Sequence, residues 1–159
     1  MTQNTPLNTA AIAAAVPTDP QALAEAVAAA MFERDAAAQA MGITIDLIGP
    51  GCARLSMTVR PDMLNGHGTC HGGFIFALAD TSFAYACNTG NRVTVASACS
   101  IDYLAPGRAG TRLKAEARLR SAAGRTGVYD IDITDGDGSL IAMFRGKSYR
   151  IAGDVIAGS

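Results

Sequence analysis

Apolar and polar residues alternate with a period of two from Ile43, where Ile43, Ile45 and Leu47 are separated by Thr44 and Asp46. The alternation resumes with Ala53, Leu55, Met57 and Val59 on one side, and Gly49-Pro50-Gly51 stands between the two runs, so the pattern predicts a β-hairpin. Four more strands are predicted over Arg92 to Leu104, Thr111 to Ser121, Gly127 to Thr134 and Leu140 to Ile151. They are separated by Pro106-Gly107, Ala123-Gly124 and Asp135-Gly136-Asp137-Gly138. Alternation is clearest where Tyr129, Ile131 and Ile133 interleave with Val128, Asp130 and Asp132. No helical stretch separates these last strands, and parallel neighbours need a long crossover, so antiparallel pairing follows.

Two stretches follow a different pattern. Thr18, Asp19 and Pro20 supply an N-cap candidate with proline at the first helical position, and the Ala-rich run behind them ends at Gly42. This predicts a helix of about twenty residues. From Gly72 to Asn88 small, aromatic and aliphatic residues occupy every side, the mark of a buried helix. The expected fold class is α+β, an antiparallel sheet curled around one long central helix, with an extra N-terminal helix. Residues 1–18, uncharged up to Pro17 and with two prolines, are expected to form a mobile tail. A single domain over 19–153 and a C-terminal tail over 154–159 complete the division.

A chain of 159 residues suffices for one self-sufficient core. Its 13 Lys and Arg against 14 Asp and Glu give a net charge of -1, without a basic cluster to follow a phosphate backbone, so nucleic acid is not an expected partner. The apolar run Ala10 to Val16 is too short to span a bilayer and has no basic segment before it, which leads to the expectation of a cytoplasmic protein without membrane contact. Cys52, Cys70, Cys87 and Cys99 are then expected to be free thiols.

Between Asp62 and Arg92 lie 29 residues and one formal charge, Asp80, in the middle of the buried helix. A carboxylate there costs several kcal/mol unless partners compensate, so it is either a structural group held by Thr81 or Ser82 or a functional one with a raised pKa. His71-Gly72-Gly73 opens the same helix, where unpaired N–H groups and the positive end of the dipole converge. Glycine lets a ligand approach that backbone, and a thioester oxyanion placed there would gain a fixed donor; tight helix packing is the other use of Gly72 and Gly73. Eight residues of helix rise about 12 Å, too far for Gly72 and Asp80 of one chain to meet one thioester, which predicts a homodimer with shared sites. Asn65 could position water or the carbonyl, and His71 could orient Asn65 or act directly. His67-x-x-Cys70-His71 offers too few ligands for a metal site, and adjacent Cys70 and His71 make a poor nucleophile-base pair.

The segment Leu64 to Gly73, continuing through Phe76-Ala77-Leu78-Ala79-Asp80, closely resembles the PaaI-type phenylacetyl-CoA thioesterases of the hotdog superfamily. The likeness extends through Ala84 to Asn88, Ala96 to Cys99, Gly127 to Ile131 and Phe144 to Ser148, within roughly Met41 to Ile151. It implies a hotdog homotetramer of two dimers that hydrolyses phenylacetyl-CoA and ring-hydroxylated aryl-acyl-CoA thioesters, with no metal or organic cofactor. By the same resemblance Asp80 is the nucleophile or general base, Gly72 N–H polarises the thioester carbonyl, and Asn65 and His71 complete the site. Substrate and CoA contacts are expected from Gly73, Ser97, Arg125, Thr126, Lys147, Ser148 and Arg150. Some relatives carry Ser or Thr about eighteen residues beyond the aspartate, where this chain has Ala98 with Ser97 beside it. A non-catalytic acyl-CoA-binding module is the alternative of a different class.

Overall fold

The computed structural model describes residues 15–157; residues 1–14 of the expected N-terminal tail lie outside them. Asp19 opens helix α1 (Pro20–Arg34), its carboxylate accepting Ala22 N–H at 2.9 Å. The single helix expected up to Met41 is two. Asp35, at φ -90° and ψ 74°, stops α1, and its carboxylate caps α2 (Ala36–Met41) by accepting Ala38 N–H at 2.9 Å. An aspartate inside an alanine run competes with the helix by offering a new cap. Its other oxygen lies 3.4 Å from the Tyr85 hydroxyl, which ties the break to the central helix. Gly42 ends α2 in the left-handed conformation, at φ 69°.

The expected hairpin follows as β1 (Thr44–Gly49) and β2 (Cys52–Thr58). Next come the central helix α3 (Gly72–Asn88) and the strands β3 (Thr94–Tyr103), β4 (Arg112–Ala123), β5 (Thr126–Thr134) and β6 (Leu140–Arg150). The sheet order is β1-β2-β4-β5-β6-β3, antiparallel at every pairing. Its concave face buries Leu55 and Met57 of β2, Leu113 and Ala115 of β4, Ile131 and Ile133 of β5 and Phe144 of β6. These pack with Ile75, Leu78, Ala79 and Phe83 of α3, each large apolar side chain contributing about 1.5–3 kcal/mol. At Gly146 the sheet comes so close that a Cβ would stand 2.8 Å from the Phe83 ring.

The helix expected to be buried all round is buried on one side. Gly72 is half-buried, like Ala77, Asp80, Thr81 and Ala84, and Gly73 beside it is exposed. Spacings of three and four residues gather the half-buried positions into one open stripe. The two sheet edges also differ. Along β1 lies α1, whose Gln21 side chain donates to Ile48 O at 2.8 Å. β3 exposes eight of its ten residues and carries a bulge between Ala96 and Ala98 that sets Ser97 out of the ladder.

Of the expected C-terminal tail, residues 154–157 lie against the rest of the chain. Asp154 pairs with Arg92 at 2.7 Å, and Asn91 exchanges two hydrogen bonds with the Ile156 backbone, at 2.9 and 3.0 Å. Among the described residues no helix is long and apolar enough to cross a membrane.

Candidate active site

The loop before α3 is fixed by its own backbone. Asn65 N–H donates to Thr69 O, Cys70 N–H to Gly107 O and His71 N–H to Met63 O, each at 2.8 Å. Asn65 Oδ1 accepts His67 N–H at 2.9 Å and the Thr69 N–H and hydroxyl at 3.3 Å each. That oxygen organises the loop, which leaves the Asn65 amide NH2 for a ligand. His67 is exposed, and among the described residues its one hydrogen bond is the backbone contact just named.

His71 is the N-cap of α3, and its Nδ1 accepts Gly73 N–H at 3.0 Å. The lone pair needed at Nδ1 places the proton of the neutral ring on Nε2. With Gly73 N–H so occupied, Gly72 N–H is the first-turn donor that meets no acceptor among the described residues. Gly72 also serves packing. A Cβ there would stand 3.1 Å from the Tyr103 ring, whose hydroxyl donates to Gly72 O at 2.9 Å. Tyr103, Ile75 and Leu104 help line a shallow hollow of about 310 Å³ beside this helix end.

Asp80 sits on the open stripe, half-buried. Burial pushes its carboxyl up from the ordinary value, opposed only by a hydrogen bond from Cys99. Cys99 Sγ lies 3.9 Å from Asp80 Oδ1, and no cation pairs with that carboxylate among the described residues. Strand and helix geometry bring both pairs together. Four residues of strand from Cys99 to Tyr103 span about 13 Å, close to the roughly 12 Å rise from Gly72 to Asp80, so β3 runs antiparallel to α3 with matched ends.

Burial disfavours the thiolate form of the neighbouring thiols. Burial raises the Cys70 thiol, and His71 directs Nδ1 at Gly73 N–H, so no Cys-His pair forms. Burial pushes the Cys87 thiol up to about 12, with the Asp80 charge adding to it. Among the described residues no cluster of three His, Cys, Asp or Glu side chains is placed to hold a metal.

The residues expected to contact CoA are only partly gathered. Arg150 N–H donates to Arg125 O at 2.8 Å, which brings the two arginines to neighbouring strand ends, and the Arg125 guanidinium lies 6.0 Å from the Tyr149 ring centre. The Thr126 hydroxyl donates to Ala123 O at 3.0 Å. Lys147, an odd number of residues from Arg150, points to the other face of the sheet. Ser148 is buried, its hydroxyl 3.5 Å from Gly127 O, and is therefore not a surface contact for a phosphate; alternation along β6 turns it inward. Ser97 is exposed and donates to Lys147 O at 3.0 Å, away from Asp80.

Residues 67–142 match the family pattern described as Thioesterase superfamily. The acyl-coenzyme A thioesterase PaaI of Escherichia coli (strain K12) is 53% identical to this chain over 126 residues, covering 79% of this chain and 90% of the relative. The chain belongs to the thioesterase superfamily. Its fold matches that of the E. coli PaaI protein from the phenylacetic acid degradation operon with a TM-score of 0.82 at 52% identity, over 83% of this chain and 96% of that one. A mutant of the phenylacetic acid degradation protein PaaI from Thermus thermophilus matches with a TM-score of 0.69 at 39% identity, over 72% of this chain and 97% of that one. The sheet wrapped around α3 is thus the hotdog fold, and this superfamily member is a thioester hydrolase.

Tyr103 and Cys99 are the site neighbours that sequence reasoning missed. Alternation alone places 99, 101 and 103 on one side of β3, but the bulge at Ser97 decides which side faces α3, and nothing in the local pattern announces a bulge.

Proposed function

We propose that this thioester hydrolase is a cytoplasmic enzyme that cleaves phenylacetyl-CoA and ring-hydroxylated aryl-acyl-CoA thioesters in phenylacetate catabolism, with Asp80 as the reacting carboxylate. The observation that carries the reading is the open stripe of α3, which holds a carboxylate without a cation at Asp80 and begins at the free N–H of Gly72. The E. coli relative, named an acyl-coenzyme A thioesterase and drawn from the phenylacetic acid degradation operon, supports the substrate class.

The two groups stand about 12 Å apart on one helix, so one thioester does not reach both. A two-fold axis that sets two α3 helices antiparallel brings each Asp80 to Gly72 of the partner subunit and makes two identical sites. The exposed β3 edge offers unpaired backbone for such pairing, while α1 accompanies the other edge. Two such dimers would form the homotetramer.

In this site Gly72 N–H holds the thioester oxygen, with Asn65 NH2 and His71 Nε2–H as further donors at the loop, and Gly73 N–H keeps His71 in place. Ionised Asp80 attacks the carbonyl carbon, giving a mixed anhydride that water hydrolyses, or takes a proton from the attacking water. Either route breaks the C–S bond, releases the CoA thiol and yields the free acid. A carboxylate partly stripped of water is the stronger base for this step. Arg125 and Arg150, with Thr126, suit the CoA phosphates. The scheme needs no metal or organic cofactor.

Release of CoA thiol from phenylacetyl-CoA, 3-hydroxyphenylacetyl-CoA, 4-hydroxybenzoyl-CoA and short aliphatic acyl-CoAs, by wild type and Asp80→Asn, tests the reading. Turnover of the aryl substrates that collapses in the variant is expected; equal turnover of aliphatic substrates would remove the aryl assignment, and an active variant would remove Asp80. Inactive Asp80→Ala and Gly72→Pro chains, exchanged into verified heterodimers, should recover part of the activity if the site is shared. No recovery would place the site within one chain.

A further inference from the structure

We propose that Cys99 is the positioning residue for Asp80: its thiol, presented from β3 across the open stripe of α3, holds the carboxylate in place while leaving it basic. The inference rests on the reading of Asp80 as the reacting group.

The geometry of β3 is arranged for this contact. Cys99 pairs with Gly146 and Ile101 with Phe144, so the side chains at 99 and 101 share the face that packs on α3. The extra residue at Ser97 shifts the alternation by one position. Without it Ala98 would take the inward place, and a methyl group would meet the carboxylate. Cys99 Sγ lies 3.9 Å from Asp80 Oδ1, the long end of the range for a sulfur donor, and no other donor reaches that carboxylate among the described residues. Gly146 opposite contributes no side chain, and the Phe83 ring of α3 packs closely on it, which brings the helix near to this part of the sheet.

The choice of a thiol fits the chemistry. A hydroxyl or guanidinium donor stabilises a carboxylate strongly and so weakens it as a base or nucleophile, whereas S–H is a weak donor that can fix orientation with little loss of basicity. The thiol also stays protonated, because burial raises it and the adjacent Asp80 charge raises it further. It therefore remains a donor and does not compete for the thioester. The surrounding groups leave this pair undisturbed. Cys87, on the same helix, is protonated, and Tyr129 of β5, beside Cys87, is pushed up to about 12 by burial and stays neutral. Arg150 of β6 acts on Tyr129 and does not pair with Asp80. Leu55 of β2, Leu113 of β4 and Phe144 of β6 bring no charge to the packed side of α3, and α1 leads on to Asp35, which engages Tyr85.

The test is the acid limb of the kcat/KM profile for phenylacetyl-CoA in the full chain, for wild type, Cys99→Ala and Cys99→Ser, with Asp80→Asn alongside. Loss of the donor in Cys99→Ala should move the limb to higher pH by roughly half a unit, with plateau kcat down only a few-fold. Cys99→Ser, which restores a stronger donor, should return the limb to the wild-type position or below it. A residue that merely packs would not raise the limb in Cys99→Ala and bring it back in Cys99→Ser. A titration of the Asp80 carboxyl by 13C NMR in the resting protein should reproduce both displacements without reference to turnover. An unmoved limb and titration in both variants, with Asp80→Asn inactive, would overturn the role of Cys99 and leave Asp80 standing. A plateau loss in folded Cys99→Ala as deep as that of Asp80→Asn would make the thiol itself reactive and overturn it as well. An active Asp80→Asn would remove the parent reading instead.

Discussion

On the convex face of the sheet Asp130 stands between Arg145, at 2.7 Å, and Arg120, at 3.3 Å, whereas on the concave side Asp80 meets, among the described residues, no cation and one thiol donor. The Arg145 hydrogen bonds hold the Asp130 carboxyl below its ordinary value. Glu116 repeats the arrangement: burial alone would raise it, but Arg54, at 3.0 Å, and Arg118 bring it below the usual range. Asp80 moves the other way because nothing offsets its burial beyond the weak thiol. One residue type thus serves two purposes within one sheet-and-helix layer. Carboxylates held by arginine keep a lowered pKa, whereas Asp80, half-buried and without a cation among the described residues, keeps the basicity that a cation would remove.

The strongest way to break this contrast is Asp80→Asn. Turnover of phenylacetyl-CoA should fall by about 10²–10⁴, the range for loss of a positioned base or nucleophile. The same variant should be more stable than wild type at neutral pH. A carboxyl whose folded value lies above its unfolded value near 3.8 binds its proton more tightly when folded, so the folded state loses stability as pH rises through that interval and stays lower above it. Asparagine removes that loss. Because the group is half-exposed the gain is only about 0.5 kcal/mol, visible as a small rise in melting temperature at pH 7 that vanishes near pH 3. A variant less stable at pH 7 would mean that the charge has a partner after all.

Next in size is the other end of the stripe, where Gly72→Pro and Gly72→Ala separate the amide from the space. Proline is accommodated at the first helical position and adds the same Cβ as alanine while also removing the N–H, so kcat should fall by about 10²–10³, and the excess over the alanine loss reports the amide. Alanine keeps the N–H but sets its Cβ 3.1 Å from the Tyr103 ring, and a fall of about tenfold from misplacement is expected. Steady-state kinetics on both variants decide the matter, since equal losses would reduce Gly72 to a packing residue.

Much of this was legible in the chain. The hairpin strands and β5 announced themselves by alternation, the central helix by its small, aromatic and aliphatic residues on every side, and Asp80 by isolation from other charges over 29 residues. What escaped depends on contacts distant in sequence. Asp35 breaks the first helix because its side chain serves both Ala38 N–H and the Tyr85 hydroxyl, fifty positions on. The half-open side of α3 looked like core because small and apolar residues occupy it much as they do the packed side. Asn65 was recognisable as a polar group near the glycines, yet its oxygen proved to be committed to the loop turn. Ser148 was placed with the CoA contacts, but the strand register turns it inward, and the bulge that sets Cys99 against Asp80 leaves no local mark.

The smallest expected effect completes the contrast. Asp130→Asn should leave turnover unchanged, because Asp130 lies on the face of the sheet turned away from α3. It should cost about 0.5–1 kcal/mol of stability at pH 7, the scale of an exposed pair with good arginine geometry. The pH dependence must run opposite to that of Asp80→Asn. Asp130 has a folded value below the ordinary 3.8, so its contribution is present above that pH and is lost as pH falls through the folded value. Melting curves of wild type and the two variants should therefore fan out at pH 7, Asp80→Asn above and Asp130→Asn below, with the Asp80→Asn difference closing as pH falls below the ordinary carboxyl value and the Asp130→Asn difference closing only below the folded value of Asp130. The double variant should be additive, since the two groups share no partner. Displacement of both variants in the same direction at pH 7 would show that burial of the site, and not the presence or absence of arginine, sets the behaviour of these carboxylates.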